Sequence, residues 1–179
     1  MRIHIFMNGL LVHLTTGETM IQRIGVIGAG QMGNGIAQVA ACAGYDVVMI
    51  DIKDEYVDKG LGTIQFSLGK LVSKERMTQS DADAALGRIT TGTDRSMCAE
   101  CDLVVEAVPE ILSLKQEIFT ELDGLCKPDT ILASNTSSIS ITTIAESTNR
   151  PDKVIGMHFM NPVPIMKLVE IINGEATSA

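Results

Sequence analysis

The 179-residue chain sets 22 acidic side chains against 14 basic ones, a net charge of −8, and holds no tryptophan, four phenylalanines and two tyrosines. It therefore lacks both the basic face that gathers nucleic-acid phosphates and the rings on which bases stack, and nucleic acid is not an expected partner. The length suits one domain burying roughly 70% of its unfolded surface without a disulfide or metal staple, and no run approaches the ~18 apolar residues of a membrane span.

Met1 to Thr19 does not match the remainder of the chain in pattern. Arg2 and the mixed run Ile3 to Leu14 make a poor signal peptide, lacking a clean apolar core and a small-residue cleavage site. Asn8-Gly9 between short apolar runs fits a hairpin turn; the plainer expectation is a mobile extension over residues 1–19, with the working domain spanning 20–179.

From Ile21 onward strands and helices alternate. The pattern predicts a strand over Arg23 to Ile27, a helix over Gln31 to Ala43 stopped by Gly44, a strand over Asp46 to Ile50 and a long helix over about Asp54 to Val72. Ser80-Asp81-Ala82-Asp83 has capping-box spacing and starts a short helix ending near Gly87. An apolar strand over Leu103 to Val108 comes next, then a helix over Ser113 to Leu125, a strand over Thr130 to Ala133 and a helix over Ile139 to Ser147. The final two strands are Val154 to Met157 and Leu168 to Ile172. Such alternation implies an α/β fold, a Rossmann-type doubly wound and mostly parallel sheet.

The first strand breaks into Gly28-Ala29-Gly30-Gln31-Met32-Gly33 and then a helix, the parts of a dinucleotide-phosphate cradle. Gly28 permits the turn, Gly30 lets backbone approach a pyrophosphate, and Gly33 lets helix pack closely on strand. Asp51, at the end of the second strand, sits where such folds bind ribose hydroxyls, and its charge disfavours the 2′-phosphate of NADP, with Lys53 nearby acting the other way.

Other polar clusters admit two readings each. Lys70, Lys74 and Arg76 form a basic patch on an acidic chain, either a solvated helix face or a site for an anionic ligand. Ser134-Asn135-Thr136-Ser137-Ser138 ends a strand, and Ser137 or Ser138 either caps the next helix or works at the sheet edge. His158 follows an apolar strand, and Glu170 lies in an otherwise apolar one. A carboxylate buried there is costly unless paired, so the two suit an oriented general base, although a lone His at a strand end also serves structure.

Four cysteines, Cys42, Cys98, Cys101 and Cys126, read as reduced thiols of a cytoplasmic protein. Cys98 and Cys101 form a C-x-x-C that precedes a strand and has no second ligand pair, so the spacing is taken as chance and no metal is expected.

The glycine motif, Asp51, Val104-Val105-Glu106-Ala107, Glu110, Lys115, Ser134 to Ser138, His158-Phe159-Met160-Asn161-Pro162 and Lys167-Leu168-Val169-Glu170 together resemble the N-terminal domain of the 3-hydroxyacyl-CoA dehydrogenases. The resemblance implies NAD as cofactor. Gly28, Gly30, Gln31, Met32, Gly33 and Asp51 would hold its adenosine half, and Glu110, Lys115 and Asn135 its ribose and nicotinamide end. Ser137 would hydrogen-bond the oxygen on substrate C3, His158 would move its proton, and Glu170 would hold His158; Ser67 and Lys74 match positions touching coenzyme A. The implied reaction interconverts short 3-hydroxyacyl-CoA and 3-ketoacyl-CoA. Pro109 and Met160 depart from a common form of the motif. The family also has a second, helical domain that closes over the acyl group and forms the homo-oligomer. Because the 179 residues stop before it, they are expected to bind NAD(H) and turn over acetoacetyl-CoA poorly; the alternative is a stand-alone NAD-binding module.

Overall fold

The computed structural model describes residues 15–16 and 19–178, with side chains from residue 21. The expected hairpin at Asn8-Gly9 lies outside the described residues. Within the stretch expected to be an extension, β1 (Thr15–Thr16) pairs antiparallel with β2 (Thr19–Met20).

The main sheet starts with β3 (Arg23–Ile27), followed by α1 (Gln31–Cys42), β4 (Asp46–Ile50), α2 (Asp54–Ser73), α3 (Gln79–Gly87) and β5 (Ile89–Gly92). After a 3-10 turn, Arg95–Cys98, come β6 (Leu103–Glu106), α4 (Leu112–Leu125), β7 (Ile131–Ser134), α5 (Ile141–Ala145), β8 (Val154–Phe159) and β9 (Val169–Asn173). The seven strands run in the order β5-β4-β3-β6-β7-β8-β9, with β5 through β8 mutually parallel and β9 antiparallel to β8.

Strand residues alternate between two cores, as a period-two backbone covered on both faces requires. Val26, Val47, Met49, Val105 and Ala133 face Ile36, Ala37, Ile64 and Leu68 of α1 and α2. Ile27, Val48, Ile50, Val104 and Leu132 face Ile118, Phe119, Leu122 and Ile144 of α4 and α5. Chain direction across the sheet reverses between β3 and β6, so the connections leave opposite ways there and open a crevice at the strands' C-terminal ends, where doubly wound sheets bind ligands.

Several boundaries differ from those expected of the sequence. The cap of α3 is Thr78, whose hydroxyl accepts from Asp81 N, and not Ser80. Strand β5 carries no clear sequence signal: Ile89-Thr90-Thr91-Gly92 is short, half-polar and at the sheet edge. Helix α5 is five residues long and capped by Ser140, so neither Ser137 nor Ser138 caps it. Strand β8 extends to Phe159 and therefore contains His158 instead of ending before it. Gly44 stops α1 as expected, at φ +98°.

Candidate active site

The turn between β3 and α1 is built around two glycines. Gly28 adopts φ +101°, and a Cβ on it would stand 2.8 Å from the Ala107 carbonyl oxygen; a Cβ on Gly33 would stand 1.6 Å from the Gly28 carbonyl oxygen. Only hydrogen fits at either place, so the α1 N-terminus presses onto the end of β3. Gly30 is different, since no heavy atom lies within 4 Å of the Cβ it lacks. It caps α1 without a side-chain bond, and the helix's first turn carries no acidic residue. The turn therefore presents backbone N–H groups and a clear approach to an anionic group, which fits a dinucleotide pyrophosphate.

The crevice has two lobes that share Ala107 and Val108. The larger, about 970 Å³, is lined by Gly28, Gly30, Gln31, Asp51, Tyr56 and Arg95 among others. Asp51 Oδ2 accepts from Ala29 N at 2.7 Å and Oδ1 from Ile52 N at 2.7 Å, so the carboxylate ties β4 to the glycine turn. Two bonds leave further acceptor capacity for ribose hydroxyls. Lys53 sits over the Tyr56 ring at 5.6 Å and does not line the lobe. Arg95 does line it and pairs with Glu121.

The smaller lobe, about 350 Å³, gathers Met32, Glu110, Lys115, Asn135, Ser137 and His158 from five different segments. His158 and Glu170 are register partners across β8 and β9, and Nδ1 stands 2.8 Å from Glu170 Oε2. A carboxylate can only accept, so Nδ1 carries the hydrogen and Nε2 is left free to exchange a proton. The expectation of a buried Glu170 is corrected: its side chain is 50% exposed because β9 is the edge strand. Asn135 Oδ1 accepts from Phe159 N at 2.9 Å, which fixes the carboxamide beside the same strand. Gln31 Nε2 donates to Asn161 Oδ1 at 3.3 Å, joining the start of α1 to the loop after β8.

Lys115 is 1% exposed, with Nζ 2.6 Å from Glu106 Oε1 and 3.3 Å from Glu110 Oε2. Glu110 accepts from the Thr136 hydroxyl, from Ser137 N at 3.2 Å and from the Ser138 hydroxyl at 3.1 Å. Burial opposes its charge, but the Thr136 hydroxyl, the Lys115 ammonium and the Ser138 hydroxyl outweigh that and hold its carboxyl below the usual range. The Ser137 hydroxyl itself has no hydrogen-bond partner among the described residues.

Two expected substrate residues stand apart from this assembly. Ser67 is half-buried on α2 and Lys74 is exposed at its C-terminal end; neither lines the crevice. The cysteines are all free, Cys42 exposed and the other three buried, and no metal-binding cluster occurs among the described residues. Glu106, to which the sequence pattern assigns no role of its own, has no exposed side-chain surface. The rule applied to Glu170 would have singled it out, since a glutamate ending the apolar strand Leu103-Val104-Val105 also demands a partner.

Residues 23–179 match the family model described as 3-hydroxyacyl-CoA dehydrogenase, NAD binding domain. The chain is 55% identical over 156 residues to the probable 3-hydroxybutyryl-CoA dehydrogenase of Deinococcus radiodurans, a match covering 87% of this chain and 56% of that protein. The 3-hydroxybutyryl-CoA dehydrogenase of Bradyrhizobium diazoefficiens is 51% identical, with 88% and 54% covered. The crystal structure of (S)-3-hydroxybutyryl-CoA dehydrogenase from Ralstonia eutropha superposes with a TM-score of 0.87 at 49% identity, over 88% of this chain and 56% of that one. The chain thus spans about half the length of the curated relatives it matches. A glycine turn, an acidic second strand end and the match over residues 23–179 agree: the chain belongs to the family of 3-hydroxyacyl-CoA dehydrogenase NAD-binding domains, whose cofactor is NAD.

Proposed function

We propose that the chain is the cofactor-binding part of an oxidoreductase that interconverts short 3-hydroxyacyl-CoA and 3-ketoacyl-CoA, such as 3-hydroxybutyryl-CoA and acetoacetyl-CoA, with NAD(H). The observation that carries this reading is that His158, whose Nδ1 is 2.8 Å from Glu170, lines with Ser137 a lobe that adjoins the one at the glycine turn. Holding NAD alone requires none of those three side chains. The names of the relatives support the substrate class.

NAD(H), when bound, accepts or supplies a hydride at the substrate's C3. The Ser137 hydroxyl hydrogen-bonds the C3 oxygen. In the reductive direction His158, as imidazolium, gives its Nε2 proton to that oxygen; in the oxidative direction neutral Nε2 takes the proton back. Glu170 holds Nδ1–H in both directions and stabilises the cation. Glu110, Lys115 and Asn135 hold the ribose and nicotinamide end; Gly28, Gly30, Gln31, Met32, Gly33 and Asp51 hold the adenosine half. Ser67 and Lys74 meet the coenzyme A portion, supported by the resemblance. The setting proposed is cytoplasmic, supported by the free thiols, and in a homo-oligomer, supported by the resemblance. No helix among the described residues is long and apolar enough to cross a membrane.

A second reading, an NAD-binding module that turns nothing over, is favoured by one observation: Ser137 is exposed and Glu170 half-exposed, so water reaches the reacting groups. NADH absorbance followed on adding acetoacetyl-CoA, for the wild-type chain and for His158→Gln, separates the two when NADH binding is titrated in parallel. The dehydrogenase reading requires a wild-type rate that His158→Gln abolishes with cofactor affinity intact. No rate in either protein supports the module, and a rate that survives in His158→Gln contradicts the role given to His158.

A further inference from the structure

Among the described residues, the least exposed carboxylate side chain lies behind the crevice. Glu106 ends β6 with a carboxylate that has no exposed surface and lines neither lobe, yet both its oxygens are used. Oε1 accepts from Lys115 Nζ at 2.6 Å and from Val108 N at 2.7 Å; Oε2 accepts from the Ser134 hydroxyl at 2.6 Å. Its backbone oxygen accepts from Asn135 N at 2.8 Å. One residue therefore joins the ends of two neighbouring strands, the turn at Val108 shared by both lobes, and the sole lysine of the smaller lobe.

A buried ammonium needs compensation from every side, and Lys115 finds it in two carboxylates, Glu106 beneath and Glu110 above. Glu110 in turn takes bonds from Thr136, Ser137 N and Ser138, the loop that presents Asn135 and Ser137. We infer that Glu106 is a positioning residue: through Lys115 it sets where Glu110 sits, and through Glu110 it fixes the loop that meets the nicotinamide end of the cofactor. With the lower carboxylate neutralised, the ammonium has Glu110 as its remaining counter-charge and draws it inward, off the loop. The adenosine lobe, built on Gly28, Gly30 and Asp51, meets Glu106 only through the shared turn at Val108, whose N–H a glutamine oxygen at position 106 can still accept, so it should change little.

This rests on the proposed placement of the cofactor, and the test keeps the two apart by using NADH and ADP as separate probes on the 179-residue chain. Isothermal titration of Glu106→Gln should show NADH affinity about tenfold weaker and ADP affinity within about twofold of wild type. In Glu110→Gln the further change Glu106→Gln should cost less than about threefold, since the path it acts through is already cut. Glu106→Asp, which keeps the charge, should recover part of the NADH loss. If Glu106→Gln does not fold, Ser134→Ala removes one of its anchoring bonds and should reproduce the NADH-specific loss in milder form. Equal losses for NADH and ADP, or an undiminished Glu106→Gln effect in the Glu110→Gln background, would mean that Glu106 serves the fold alone and overturn the inference. Wild-type protein binding NADH no more tightly than ADP would instead overturn the cofactor placement, and the inference with it.

Discussion

Two alanine substitutions three residues apart should behave in opposite ways, because one glycine is enclosed and the other faces open space. In Gly33→Ala the new Cβ would stand 1.6 Å from the Gly28 carbonyl oxygen, so turn and helix must part by roughly 1.4 Å to reach the 3.0 Å below which such contacts are essentially never seen. A clash this close with backbone stands at the top of the overpacking range, about 3 kcal/mol, and improved helix propensity offsets at most about 1 kcal/mol, leaving about 2 kcal/mol. For a chain of this size the melting temperature should fall by about 4–8 °C. In Gly30→Ala the methyl meets no atom within 4 Å, and the backbone, at φ −64° and ψ −169°, is open to any residue. Its stability cost, a poorer N-cap, is no more than about 1 kcal/mol. The methyl would occupy the space proposed for the pyrophosphate, so NADH should bind about ten- to a hundredfold more weakly, equivalent to about 1.4–2.8 kcal/mol. Thermal unfolding and NADH titration on both variants provide the assay. Unchanged NADH affinity in Gly30→Ala, or a wild-type melting curve for Gly33→Ala, would show that the two glycines do not divide their work in this way.

Three further outcomes are expected. Glu170→Gln keeps an oxygen that can accept from His158 Nδ1–H but removes the charge that stabilises the imidazolium, so any acetoacetyl-CoA-dependent oxidation of NADH should fall about 10²-fold while NADH affinity holds. A parallel loss of cofactor binding would place Glu170 in the wrong role. Thiol labelling of the native chain at pH 8 should modify Cys42, the exposed thiol, first; burial pushes the Cys126 thiol up to about 11, a hydrogen bond with Cys101 together with burial raises Cys98, and Cys98, Cys101 and Cys126 should react together on unfolding. Labelling of Cys98 at the rate of Cys42 would contradict the burial of Cys98. Asp102 should govern part of the acid lability. Burial opposes its charge, but Lys127 and the N–H groups of Gln22 and Arg23 outweigh that and lower its pKa, so the stability it contributes is present above the unfolded value of about 3.9 and lost as pH falls through the lower folded value. Asp102→Asn should flatten the melting temperature against pH below about pH 4, where the unfolded-state carboxyl protonates before the folded one; an unchanged profile there would assign the acid transition elsewhere.

The order of elements is legible from Arg23 onward because each strand is a short apolar run bounded by turn residues and each major helix has an amphipathic face. Features that depend on the neighbour across the sheet are not. Ile89–Gly92 becomes a strand because β4 offers an edge, not because four half-polar residues favour one. Glu170 faces solvent because β9 is the outermost strand, a fact of sheet order that hydrophobicity along β9 does not encode. Helix caps lie a few positions from their expected places at Thr78 and Ser140, where several Ser and Thr compete and the backbone path decides. The proposed site residues Gly28, Gly30, Asp51, Asn135, Ser137 and His158 are picked out by a strand end followed by small or polar residues, and all six line the crevice. Ser67 and Lys74 rest on resemblance, and the crevice does not include them.

One crevice is held to set the nicotinamide end of NAD beside an imidazole backed by a carboxylate, and a crystal structure of the chain soaked with NADH would show that placement outright. The expected result has the pyrophosphate over Gly30, ribose hydroxyls on Asp51, and the nicotinamide ring between Asn135, Ser137 and His158, with His158 Nδ1 still on Glu170. A nicotinamide ring bound away from His158, or a His158 separated from Glu170 in that complex, would prove it wrong.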